Sequence, residues 1–150
     1  MSTSLALSVI ALLVSALSAV YARRAASEAR QANRIASHNQ KLAILESAWV
    51  FRDAFRINGE AIEAAYVYSL LDAASKACLY FTGSSADHLS MYAKAAHGVL
   101  IARDGARRLE SMHRDVSREK WDEIFQLVDA CRAVEGSLIA DLESQTQIVA

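Results

Sequence analysis

The sequence predicts an all-α chain, an N-terminal transmembrane helix that continues into an antiparallel cytoplasmic bundle of about four helices. Three observations predict it. Proline is absent from the 150 residues and only five are glycine, so long helices meet few breaks. Residues 1–22 carry no charged side chain, whereas residues 23–41 carry five cations and one acid. Apolar residues then return at steps of three and four through most of the remainder. An apolar share of 53% is enough to build a core and argues against disorder. A formal charge of -1 gives no reason to expect a nucleic-acid partner.

Residues 1–22 form the predicted span. From Leu5 to Ala22 the chain reads LALSVIALLVSALSAVYA, 18 residues, which as a helix covers roughly 27 Å of a roughly 30 Å hydrocarbon core. A cleaved secretory signal is the main competing reading, but such a signal has its cations before the apolar run, and here they follow it. A buried soluble helix is the other. Arg23, Arg24, Arg30 and Arg34, with Lys41 and against Glu28, place the following part in the cytoplasm by the positive-inside rule and suit anionic head groups. Within the span Ser4, Ser8, Ala11, Ser15, Ala19 and Ala22 recur at steps of three or four, a face that permits close helix contact.

Residues 23–41 read as a basic, alanine-rich juxtamembrane stalk and residues 42–150 as the bundle. With no glycine or proline before Asn58-Gly59, span and stalk run into one helix. Ala25, Ala29, Ala32 and Ala36 make a narrow seam along the stalk. Farther on, Ile44, Ala48, Phe51 and Phe55, with Leu45 and Trp49 beside them, make a wider apolar stripe.

The second helix starts at Glu60 and Glu63, spans about 24 residues to Thr82-Gly83-Ser84, and shows the stripe Ala64, Val67, Leu71, Ala74, Cys78 and Phe81. Ser85 is the expected N-cap of a third helix with the seam Met91, Ala95, Gly98, Ala102, Gly105, Leu109 and Met112, whose glycines imply a neighbour's close approach. Ser117 opens a fourth helix with the stripe Trp121, Phe125, Val128, Cys131, Leu138 and Leu142, interrupted at Glu135 and fraying from Ser144. Cys78 and Cys131 on these stripes are expected to be reduced, buried thiols. A second helix this short pairs with only the distal part of the first, so the stalk is expected to pair with another copy or a different membrane protein, with a stalk lying on lipid or a solvated spacer as the competing readings.

Catalytic signals are weak. Glu110-Ser-Met-His113 has the Glu-x-x-His spacing of di-iron bundles, yet no second such pair exists, and His38, His88 and His97 lack zinc-ligand spacing. No Gly-x-Ser-x-Gly elbow or phosphate-cradling loop is present. No cofactor is expected. Arg52 and Arg56, four apart on one helix face, can pair with Glu135 or Asp72 across the bundle and fix its register, or can dock an acidic partner.

The run Tyr21-Ala-Arg-Arg-Ala-Ala-Ser-Glu-Ala-Arg-Gln-Ala-Asn-Arg-Ile-Ala-Ser-His-Asn, leading into Leu42-Ala-Ile-Leu-Glu-Ser-Ala-Trp-Val-Phe-Arg-Asp-Ala-Phe, resembles a type of small uncharacterised bacterial membrane protein. In these an N-terminal span precedes an Ala/Arg-rich helix, an Ala-Asn pair, a His-Asn pair and an aromatic, Arg-bearing helix. The resemblance covers residues 1–57. It implies a bacterial inner-membrane protein with a cytoplasmic helical domain and no particular activity. The functional expectation is a membrane-tethered interaction module, an adaptor or regulatory subunit that self-associates or binds a membrane protein. A membrane-acting, toxin-like effector is the alternative from another class, and a metal-binding bundle enzyme is a third.

Overall fold

The computed structural model describes residues 2–112 and 115–147, with side chains from residue 7 onward. Ser4 of the predicted small-residue face, together with His113 and Arg114, therefore lies outside the described side chains. Four α-helices follow one another, α1 (Ser2–Asn58), α2 (Ala64–Tyr80), α3 (Ser85–Ser111) and α4 (Arg118–Thr146), and no strand occurs among the described residues. The chain divides into two units, Met1–His38 and Asn39–Ala150.

The first unit is the leading part of α1, and from Leu7 to Ala36 every residue is exposed. α1 then continues without interruption to Asn58, where the Asn58 side-chain amide donates to the Ala54 carbonyl at 3.0 Å and Gly59, at φ +54°, turns the chain. A left-handed φ at this point is open to glycine at little cost, so the Asn-Gly stop acts as the sequence predicts.

The second unit is an up-down-up-down bundle. The distal part of α1 runs antiparallel to α4, as the pairings Lys41 with Gln145, Trp49 with Glu143 and Arg56 with Glu135 show. α3 runs against α4 in the same sense, with Ser85 near Gln145 and Gly98 near Leu127. One core joins all four helices, and Phe51, Phe55, Leu70, Tyr92 and Leu138 are among its largest fully buried side chains. Phe51 stacks on Phe55 and meets the edge of Tyr92, each at 5.3 Å between centroids. A smaller cluster of Ala102, Ala106 and Ile124 extends the α3/α4 contact.

Several sequence expectations are corrected. α2 has 17 residues rather than 24, because a 3-10 turn at Gly59–Ala61 and extended backbone at Ile62 and Glu63 take up its expected start. Its buried face is Val67, Leu70, Ala73, Ala77 and Phe81, which leaves Leu71 and Ala74 half-buried and Cys78 exposed. Of the α3 seam, Met91 and Met112 are exposed, and Leu89, Tyr92, Ala96 and Val99 take the core instead. Gly98 does face a neighbour, with Leu127 Cδ2 3.4 Å from where a Cβ would sit, whereas Gly105 meets nothing within 4 Å. In α4, Ile124 replaces the exposed Phe125 in the core. Ser84 rather than Ser85 precedes the first turn of α3. α4 does not fray at Ser144 but runs on to Thr146, anchored through Gln145, whose amide accepts from Thr82 N at 3.0 Å and donates to Ser85 Oγ at 2.8 Å.

Candidate functional site

In the first unit the candidate surface is α1 itself. Its apolar tract holds Leu12, Leu13, Leu17 and Val20, all more than half exposed, and no residue of that stretch is buried. By length and composition this helix can cross a membrane. The predicted packing face, Ser8, Ala11, Ser15, Ala19 and Ala22, is exposed, and so is the stalk seam Ala25, Ala29, Ala32 and Ala36. Arg23, Arg24, Arg30 and Arg34 are exposed too. Alanine and serine cover so little of the helix that these backbones are open to close approach.

In the second unit the structure brings Arg56 and Glu135 together. Arg56 Nη2 lies 2.6 Å from Glu135 Oε1, and Arg56 Nε donates to the same oxygen at 2.8 Å. The two ends differ in burial, because the Glu135 side chain is only 7% exposed and that of Arg56 is 65% exposed. Arg52 is not part of this pair, since its Nε bonds to the adjacent Asp53 at 2.8 Å. Asp72, the other predicted acceptor, is taken by Lys76 one turn along α2.

Two residues that sequence reasoning did not connect lie in the field of this pair. The Tyr92 hydroxyl is buried without a hydrogen-bond partner, and burial followed by the Glu135 charge raises its pKa above the ordinary tyrosine value. Burial, aided by the same carboxylate, pushes the Cys131 thiol up to about 12. A nucleophilic cysteine needs the opposite shift, so Cys131 is a packing residue. The chemistry of this cluster is directed inward, at fixing α1 against α4.

Arg103 was missed altogether. It is 8% exposed on α3, donates from Nη1 to the Ile62 carbonyl and, at 3.3 Å, to that of Glu60, and pairs with Asp104 at 3.0 Å. The carbonyls it satisfies belong to the irregular α1–α2 connection, whose backbone acceptors have no helix partner. Its position one residue after Ala102 and three before Ala106, on an apolar stripe, is the signal that could have marked it. Gln145 offered no such signal, because its partners arise only once α4 meets the α2–α3 turn.

A shallow groove of about 70 Å³ between α1 and α2, bordered by Gln40, Ser47, Asp72 and Lys76, has room for a water or two but not for an organic ligand. Among the described residues no three His, Cys, Asp or Glu side chains gather where they could hold a metal ion, and Glu110 is exposed. Comparison of the chain with protein-family models, with curated proteins and with solved structures gives no match.

Proposed function

We propose that this chain is a single-span protein of the bacterial inner membrane, with the residues before the span outside and the bundle in the cytoplasm. The bundle then serves as a tethered interaction module, an adaptor or regulatory subunit that engages a protein partner at the membrane surface. The observation that carries this reading is the order of features on α1, an exposed uncharged apolar tract followed at once by Arg23 and Arg24. In water each exposed leucine of the tract forgoes about 1.5–3 kcal/mol that lipid would supply. Arginine next to the tract favours the cytoplasmic leaflet, where anionic lipid contributes about 1 kcal/mol per cation close to the surface.

What supports interaction over catalysis is the state of the bundle's polar groups. Glu135 is closed by Arg56, Arg103 is spent on backbone carbonyls, and the Cys131 thiol is raised, so these groups hold the fold together. The test is expression of the full chain in bacteria, followed by an alkaline wash of the membranes and a measurement of membrane potential. The reading expects wash-resistant protein and an unchanged potential. Protein released by the wash overturns the anchoring, and depolarisation would favour the membrane-acting effector over the adaptor.

A further inference from the structure

The exposed face of α1 in the first unit has a regular composition. Counting heptads with Ser8 at position a, the nine a and d positions from Ser8 to Ala36 are all serine or alanine, and all nine are exposed. The sequence-derived faces of span and stalk are therefore one seam, with Ser18 joining Ser15 to Ala22 in place of Ala19.

The other positions sort by environment. Within the apolar tract, Val9, Ile10, Leu13, Leu17 and Val20 take b, c or f, while Leu12 at e and Leu7 and Val14 at g flank the seam, so no large side chain falls on the seam itself. Beyond it, Arg23, Arg24, Arg30 and Arg34 also take b, c or f. Among the seam positions and their e and g flanks only Glu28 is charged. The flanks instead hold Tyr21 and Ile35, apolar side chains that are 68% and 55% exposed. A stalk free in water has no reason to place every cation on one face and its exposed isoleucine on the other.

We infer that this face is covered by a second copy of the same chain, in parallel and in register, as a left-handed two-helix coil from Ser8 to Ala36. This rests on the membrane reading above. Charge decides the occupant. A charged partner gains nothing from a face with a single carboxylate, whereas two copies meet without repulsion, because their arginines point outward and Glu28 at g faces the neutral Asn33 at e of its neighbour. Two copies in one membrane share an orientation, and a two-fold axis matches small residue to small residue along the whole seam. The 3.5-residue period of the seam, against 3.6 for a straight helix, sets the left-handed twist. Its length fits as well, since the a, d, e and g positions from 8 to 36 supply 17 residues a side, close to the roughly 20 of a stable interface.

The test is disulfide crosslinking of the full chain in native membranes. Cys78 is first replaced by serine, and Cys131, being buried, is left in place. Single Ala25→Cys, Ala29→Cys and Ala32→Cys variants are compared with Ser27→Cys and Gln31→Cys, which fall at f and c. The coil predicts dimers at 25, 29 and 32 and their loss at 27 and 31. Adding Ala29→Arg to the Ala25→Cys chain should lower its dimer about tenfold, while Ser27→Arg should leave it unchanged. Equal crosslinking at all five positions, none at any, or products joined only to another protein would each overturn the coil. An alkaline wash of the same membranes reads the anchoring separately. Dimers in washed-off protein would keep the seam and sink the membrane reading, and anchored protein without seam dimers would do the reverse.

Discussion

The Arg56–Glu135 pair makes a quantitative demand on the bundle, because its two ends differ so much in burial. Replacing Arg56 with alanine leaves a carboxylate that is 7% exposed without its partner. For a fully buried pair such a loss costs about 3–5 kcal/mol, and the exposure of the Arg56 end reduces this to about 2 kcal/mol, since water can reach part of the gap. Replacing Glu135 with leucine instead removes the buried charge and keeps a similar side-chain volume on the buried face of α4. The free arginine then returns to solvent, so this variant should be within about 1 kcal/mol of the parent or more stable. The double variant should resemble Glu135→Leu, because no buried charge remains to be stranded. Thermal unfolding of the full chain in detergent, followed by helical circular dichroism, reads the series. About 2 kcal/mol corresponds to a melting shift of roughly 8 °C or more for a domain of this size. If Glu135→Leu costs as much as Arg56→Ala, or if Arg56→Ala costs under about 0.5 kcal/mol, the pair is not a buried register lock and the reasoning fails.

Other consequences follow from single residues. Gly105→Ala should stabilise the bundle by about 1 kcal/mol, because a Cβ there meets nothing within 4 Å while alanine is the better helix former; a destabilised variant in urea titration would contradict the open site. Of the two cysteines, a maleimide should label Cys78 in the native protein and Cys131 only after denaturation, and mass spectrometry counts the adducts. Stability should fall on raising the pH above about 9, because the unfolded Cys131 thiol then ionises while the folded one keeps its proton to about 12. The protonated folded thiol makes the slope negative, about 1 kcal/mol per pH unit, absent below pH 9 and weakened in Cys131→Ala; denaturant titrations at pH 8 and pH 10 check it.

Helix limits were legible where a backbone rule set them. Asn58-Gly59, Thr82-Gly83-Ser84 and Ser117 end or start helices as read, since a left-handed turn or an extended cap residue is a local property. Buried faces were less legible. In α2 apolar residues stand at neighbouring positions, Leu70 beside Leu71 and Ala73 beside Ala74, so two stripes about 100° apart are equally periodic and only the packed partner chooses. The same ambiguity exchanged Ile124 for Phe125. The Arg56–Glu135 pair was found because charges on an apolar stripe need a partner. Arg103 obeys the same rule, but its partners are backbone carbonyls of a turn that the sequence did not mark as irregular.

The most direct test of the account is solvent mapping of α1 in membranes. Single cysteines at Val9, Leu13, Leu17, Val20, Ser27 and Gln31, in the full chain with Cys78→Ser, are exposed to a membrane-impermeant maleimide in intact spheroplasts and in inverted vesicles. The account predicts that the first four stay unlabelled in both, and that Ser27→Cys and Gln31→Cys label only in inverted vesicles. Labelling of Leu13→Cys or Leu17→Cys as fast as Ser27→Cys, or labelling of Ser27→Cys in intact spheroplasts, would contradict a span with its bundle in the cytoplasm.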